Sequence, residues 1–183
     1  FLLRLPGDVT VYKSVDTITN QDEVVDYSTE FLNTLEPSGV PPHILTFKVG
    51  SPVMLIKNLN PPTLCNDTRL VITKLLPNII EATIMTVCGK DQDVFIPRTP
   101  LVPSAADLPF TFRRVQFPIR LSYAMSINKP QGQSLSVVGL YLAEPCFSHG
   151  QLYVGCSRVD CRNSLHAFIP QGKTKNVVYK EVL

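Results

Sequence analysis

The composition of this chain announces no chemistry. Charged residues make up only 17% of its 183 positions and the formal net charge is +2, so it lacks the global basic field that would signal bulk binding to nucleic acid, and any such contact has to be local. The five cysteines, Cys65, Cys88, Cys146, Cys156 and Cys161, are odd in number and contain no CxxC pair. That argues against a disulfide framework and a structural zinc site and fits a reducing compartment. His43, His149 and His166 lie in segments of different texture with no metal-ligand spacing to cysteines or carboxylates, so no metal site is expected. No apolar run approaches the roughly 18 residues of a membrane span, and the opening FLLRLPGD is short and uncharged at its start, unlike a signal peptide. Internal repeats and low-complexity stretches are also missing. A start at Phe1, inside an apolar run, leads to the expectation that further sequence precedes it.

What is present is enough apolar material for a core: 44% of residues are hydrophobic, which suits one domain or a domain carrying a smaller insert. Residues 1–45 open on the turn signal Leu5-Pro6-Gly7-Asp8, continue through a strand-like Val9 to Val15 and an acidic polar stretch, and reach a short helix over Glu30 to Leu35 that Pro37-Ser38-Gly39 should stop. Between about Thr46 and Pro118 the texture is β. Val53 to Ile56, Leu70 to Leu75, Val94 to Ile96 and Phe110 to Phe117 read as strands, and Ile80, Ala82 and Ile84 alternate with Glu81, Thr83 and Met85. Short strands at close spacing predict a small antiparallel barrel. The last third is α/β in texture. Val137 to Leu142 is a continuous apolar run of the kind helices cover on both faces, with helix starts expected near Pro130 and at Ser148, whose S-x-x-Q spacing to Gln151 matches a capping box. Leu165, Ala167 and Ile169 supply a further strand.

Two clusters have the chemistry of a phosphate or strand contact. Ser126-Ile127-Asn128-Lys129-Pro130-Gln131-Gly132-Gln133-Ser134 puts polar and basic groups at an expected helix start, where free N–H groups attract phosphate, Lys129 adds charge and Gly132 permits close approach. An ordinary polar loop capped by Asn128 accounts for the same residues. Arg158, near the end of Gln151-Leu152-Tyr153-Val154-Gly155-Cys156-Ser157-Arg158, either serves the C-terminal helix dipole or reaches a nucleotide phosphate as an arginine finger. A third match is weaker. Ala167 to Thr174 fits a loose phosphate-loop expression, yet Pro170 removes an N–H and too little sequence follows for a magnesium-holding strand, so it reads as chance. Cys146 and Cys156 near His149 read as buried packing rather than a thiol nucleophile.

The blocks RLPGD, EFLNTLEPSGVPPHIL, FKVGSPVMLIKNLNPPTLCNDTRL, FPIRLSYAMSINKPQGQSLSVVGLYL, FSHGQLYVGCSRV and TKNVVYKEVL follow one another through nearly the whole chain. Together they closely resemble the C-terminal part of the petite-integration-frequency (PIF-type) DNA helicases, especially the Helitron and eukaryotic PIF-like branch. The resemblance implies an α/β fold: a second RecA-like domain, a parallel sheet with flanking helices, over residues 1–45 and 119–183, interrupted by a small SH3-like β-barrel over 46–118. It implies that SINKPQGQS is the fifth helicase motif, with Ser126, Asn128 and Lys129 on the DNA strand and Gln131 and Gly132 coupling that grip to ATP. It further implies that QLYVGCSRV is the sixth motif, with Arg158 as the catalytic arginine finger.

ATP with Mg2+, single-stranded DNA, forked or structured DNA and a first motor domain are the implied cofactors and partners, and no membrane is among them. The implied activity is 5′-to-3′ translocation and unwinding in DNA repair, recombination and telomere maintenance, in the nucleus or the mitochondrion. Three positions depart from the family's usual pattern: Pro130 stands where serine is common, Asp67 replaces a glycine in NGTRL, and Gly155-Cys156 replaces a small-plus-leucine pair. The true phosphate loop, the magnesium-holding acid and the coupling glutamine of the first motor domain are not in this sequence, so the chain alone is expected not to hydrolyse ATP. The competing expectation is a non-catalytic DNA- or protein-binding module derived from a transposon helicase.

Overall fold

Alternation decides most of the first half of the chain. In the computed structural model, which describes residues 2–19, 27–85, 89–103 and 110–179, Ile80, Ala82 and Ile84 are buried along one strand while Ile79, Glu81 and Thr83 lie between them, more open. Residues 20–26 of the acidic stretch, Cys88 and the last residues of the TKNVVYKEVL block fall outside the described residues. The chain divides into two compact units, Phe1–Tyr123 and Ala124–Leu183.

The first unit runs β1 (Thr10–Lys13), β2 (Val15–Ile18), α1 (Thr29–Thr34), β3 (Ile44–Phe47), β4 (Pro52–Leu55), β5 (Arg69–Leu75), β6 (Ile79–Ile84), β7 (Asp93–Pro97), β8 (Thr99–Leu101), β9 (Phe112–Gln116) and β10 (Ile119–Leu121). Five of these strands form an antiparallel sheet in the order β10-β4-β5-β6-β7. Its core holds Val53, Leu55, Leu70, Ile72, Ile80, Ile84, Ile96, Phe117 and Ile119, and Tyr12, Leu45 and Phe47 from β1 and β3 join the same cluster. Each such side chain contributes about 1.5–3 kcal/mol by leaving water. Residues 10–13 therefore share a core with the β region, because β1 pairs antiparallel with β3.

The single strand expected over Val9 to Val15 is broken at Ser14, which donates its backbone N–H to His43 O and separates β1 from β2. β2 then pairs with β9, and β9 with β8. Helix α1 forms where its signals predict. Ser28 accepts a hydrogen bond from Phe31 N at 3.2 Å as the N-cap, and Leu32 turns inward against Ile18 and Phe112.

Two polar knots tie this unit. Arg114, fully buried, forks onto Asp16 at 2.9 and 2.6 Å and spends its other donors on the carbonyls of Leu32, Leu35 and Pro41. It thereby closes the C-terminus of α1 with a positive charge. Gln116 donates to Tyr12 O and His43 O and accepts from Phe117 N and Arg98.

The second unit contains β11 (Val138–Tyr141), α2 (Gln151–Cys156) and β12 (Leu165–Phe168). β11 and β12 pair in parallel, Val138 beside Leu165 and Tyr141 beside Phe168, so this unit supplies the parallel component of the mixed architecture. Val138, Leu140, Leu142 and Cys146 form its core, with Ile127, Leu152, Cys156 and Leu165 packed against them. The apolar run is covered on one side rather than on both. Val138 and Leu140 are buried, while Tyr141 is 75% exposed and lies stacked on Phe168.

Two expected helix starts also differ. Residues 127–132 are turns, not a helix. The bonds there run from Lys129 N to Ser126 O, from Gln131 N to Asn128 O and from Gln133 N to Pro130 O, and Gly132 at φ +82° takes the chain out of any right-handed continuation. Helix α2 begins at Gln151, after Gly150 in the left-handed region. Half of the expected capping box is realised, since Gln151 Oε1 accepts from Phe147 N and Ser148 N, but Ser148 is not the cap.

Candidate functional site

The two clusters singled out in the sequence meet in the second unit. Arg158 stands just past the end of α2, half-buried. Its Nε donates to Val154 O at 2.9 Å, which satisfies a carbonyl of the last helical turn, and its Nη2 donates to Ser157 Oγ at 2.8 Å. Its Nη1 reaches the turn, donating to Pro130 O at 3.4 Å and Gln133 O at 3.2 Å. The main chain adds a third link: Leu135 N donates to Arg158 O at 2.7 Å. The service to the helix end raised by the sequence is thus present in this side chain, and its remaining nitrogen bonds the turn.

Packing explains why helix and turn come this close. Gly155 is buried, and a Cβ there would lie 2.9 Å from Leu140 Cδ2 and 3.3 Å from Ile127 Cγ2. Without a side chain at that position, α2 can lie directly on β11 and on the first residue of the turn. Pro130 is buried beneath the turn, while Ser126, Asn128, Lys129, Gln131 and Gly132 are exposed on it. The turn therefore offers a row of polar groups and one ammonium to solvent, with Arg158 fastened behind them.

The electrostatics suit an anion. The hydrogen bonds of the Arg158 guanidinium go to neutral groups, three carbonyls and a hydroxyl. A guanidinium has the geometry to pair with a phosphate through two parallel hydrogen bonds. Among the described residues no group of three His, Cys, Asp or Glu is placed to hold a metal.

Other chemistry-bearing groups are accounted for by structure. Burial and the neighbouring Cys156 push the Cys146 thiol up, the opposite of an activated nucleophile. His149 is engaged elsewhere, accepting from Tyr179 N at 3.0 Å. The loose phosphate-loop match ends in a turn closed by Gly172 N to Ile169 O, with no helix among the described residues that follow. Ser14, His43 and Asp16 do come together, which the sequence did not signal. Ser14 Oγ lies 2.6 Å from Asp16 and 2.8 Å from His43. The serine bridges the other two, whereas a catalytic triad needs its histidine in the middle, and Arg114 already occupies the carboxylate. This trio is a buried polar junction.

Asp67 has a plain backbone role. It sits at φ +66°, in the tight turn closed by Thr68 N to Cys65 O and by Cys65 N to Thr68 Oγ. That left-handed conformation is why glycine suits the position and why aspartate, which visits it more readily than most residues, is tolerated.

Comparison with known proteins gives a consistent picture. A family profile described as "DNA helicase Pif1, 2B domain" matches residues 30–75. The human ATP-dependent DNA helicase PIF1 is 32% identical over 164 residues, covering 86% of this chain and 23% of the human protein. The ATP-dependent DNA helicase PIF6 of Trypanosoma brucei brucei is 25% identical over 173 residues, covering 81% of this chain and 22% of that protein. Among solved structures, the crystal structure of Pif1 helicase from Candida albicans superposes with a TM-score of 0.66 at 25% identity, over 99% of this chain and 44% of that one. A Bacteroides Pif1 helicase in complex with ADP-AlF3 and single-stranded DNA gives a TM-score of 0.61 at 20% identity, over 93% of this chain and 37% of that one, and shares the fold. This chain thus spans under a quarter of the human relative's length.

Proposed function

The chain belongs to the PIF-type DNA helicases, and we propose that it is the strand-gripping and nucleotide-sensing part of an ATP-dependent helicase that moves 5′ to 3′ along single-stranded DNA and unwinds duplex or forked DNA. The observation that carries this reading is the joining of Arg158 to the turn through Pro130 O, Gln133 O and Leu135 N. A motor has to alter its hold on the strand when the nucleotide changes, and one rigid element carrying both contacts is the economical way to do so.

In this reading residues 1–45 and 119–183 belong to the second RecA-like domain, and 46–118 form an SH3-like barrel inserted in it. Ser126, Asn128 and Lys129, exposed on the turn, contact strand phosphates, and binding weakens with salt accordingly. Gln131 and Gly132 relay the nucleotide state. Arg158 is the arginine finger. ATP with its Mg2+ supplies the energy of phosphoryl transfer when bound, held mainly by a first motor domain outside this sequence. The chain by itself does not turn over ATP, and its site of action is the nucleus or the mitochondrion.

The test is DNA-stimulated ATPase of the full-length helicase. Arg158→Ala is expected to lower turnover by about three to five powers of ten while leaving the melting temperature within a few degrees of the native protein. Unchanged turnover would refute the assignment.

A further inference from the structure

The last described stretch of the chain folds back onto the start of α2. Gly150 donates its N–H to Val177 O at 3.2 Å, and two residues further along the strap Tyr179 donates its N–H to His149 Nδ1 at 3.0 Å. That spacing belongs to an extended segment, in which every second residue faces the same way. The rings of His149 and Tyr179 stack beside these bonds, with centroids 5.3 Å apart. Gly150 brings no side-chain cap to α2, and six residues are too few for the helix to hold itself, so contacts from outside set where it lies.

Two such contacts define its line. Gly155 rests on Leu140 and Ile127, where a Cβ would lie 2.9 and 3.3 Å away, and the strap of residues 177–179 holds the start. Arg158 lies beyond the far end. At about 1.5 Å per residue, Gly155 is about 7.5 Å from Gly150 and about 4.5 Å from Arg158 along the axis. A helix freed at its start and pivoting on Gly155 therefore moves Arg158 by about 0.6 Å for each 1 Å lost at Gly150.

We propose that His149 is a positioning residue for the arginine finger, its Nδ1 holding the strap against the start of α2 and so fixing the far end from which Arg158 projects. The inference rests on the helicase reading above, in which Arg158 reaches a nucleotide phosphate. Misplacing a catalytic group by about 1 Å can cost about a hundredfold in rate. A finger acts on the transition state, so loosening the strap lowers kcat and leaves the KM for ATP in place. The acceptor is specific. A ring nitrogen that accepts from an N–H carries no proton, so neutral His149 is protonated at Nε2, and the strap needs a side chain with an acceptor where Nδ1 stands.

Three variants of the full-length helicase test this through DNA-stimulated ATPase. In His149→Asn the amide oxygen hangs from Cγ as Nδ1 does and accepts the same N–H, whereas His149→Phe keeps a ring to stack and accepts nothing. His149→Ala and His149→Phe should lower kcat about ten- to a hundredfold, with the KM for ATP within about twofold of native and the melting temperature within a few degrees. His149→Asn should retain most of the turnover. Amide exchange at Tyr179 should be slow in the native protein and in His149→Asn, and fast in the other two.

A fully active His149→Phe would overturn the proposal, as would a His149→Asn no better than His149→Ala. Fast exchange at Tyr179 in the native protein also overturns it. So does a fall in kcat that comes with a raised KM or a markedly lower melting temperature, because that marks general loosening. Arg158→Ala separates the two levels. If it turns over ATP like the native protein, the finger assignment falls and the strap with it; if it loses turnover while His149→Phe does not, only the strap falls.

Discussion

At the scale of single residues, the departures from the family pattern turn out to have local physical causes. Asp67 holds a left-handed backbone conformation at φ +66°, and its N–H donates to Leu55 O. A β-branched residue there meets the full steric penalty of that region, so Asp67→Val is expected to cost about 1–2 kcal/mol, read as a lowered urea midpoint, whereas Asp67→Gly should stay within about 1 kcal/mol of the native chain. The sequence marked Asp67 as unusual because glycine is common at that place. It gave no sign of Arg158's partners, since Pro130 O and Gln133 O are main-chain acceptors that any residue carries. Nor did it signal the pairing of Asp16 with Arg114, which depends on β2 meeting β9 in register.

At the scale of elements, periodicity was a good guide where a strand was long and half-buried. β5, β6 and β9 lie within a residue or two of their expected spans because alternation reports a buried face directly. β8 and β10 were missed: each has three residues, one holds Pro100 and the other follows Pro118, and proline in so short a run hides an edge strand. The turn at 127–132 was misread as a helix start because proline, glycine and small polar residues serve both structures, and only the sign of φ at Gly132 separates them. Helix α2 is short, with six residues, and is placed by packing rather than by propensity. Its position depends on Gly155. Gly155→Ala would push a methyl group to 2.9 Å from Leu140 Cδ2 and should destabilise the second unit by about 1–3 kcal/mol, measurable as a lower thermal midpoint.

At the scale of the whole molecule, texture suggested boundaries near 45 and 118, whereas the compact units part at Tyr123. Texture reports local period and is blind to pairings between distant segments, such as β1 with β3 and β2 with β9. Arg114 is the residue on which the second of these pairings turns. Arg114→Ala would leave the buried carboxylate of Asp16 without its arginine and take a donor from the carbonyls of Leu35 and Pro41, and removing one partner of a buried pair typically costs about 3–5 kcal/mol. The expected outcome is a chain whose first unit unfolds at markedly lower urea, followed through the exchange of amides in β2 and β9. A loss under about 1 kcal/mol would mean that water reaches Asp16 and replaces the arginine.

The Gln116 knot bears on how such a chain is made. Its bond to Tyr12 O joins residues 104 positions apart, and contacts that distant form only after the entropy of closing a long loop has been overcome. A nascent polypeptide emerging from the ribosome can pair β1 with β3 early, but it carries β2 for roughly a hundred residues of synthesis before β9 arrives to pair with it and Gln116 to fasten Tyr12. During that interval β2 lacks its partner strand and is open to mispairing or to capture by chaperones.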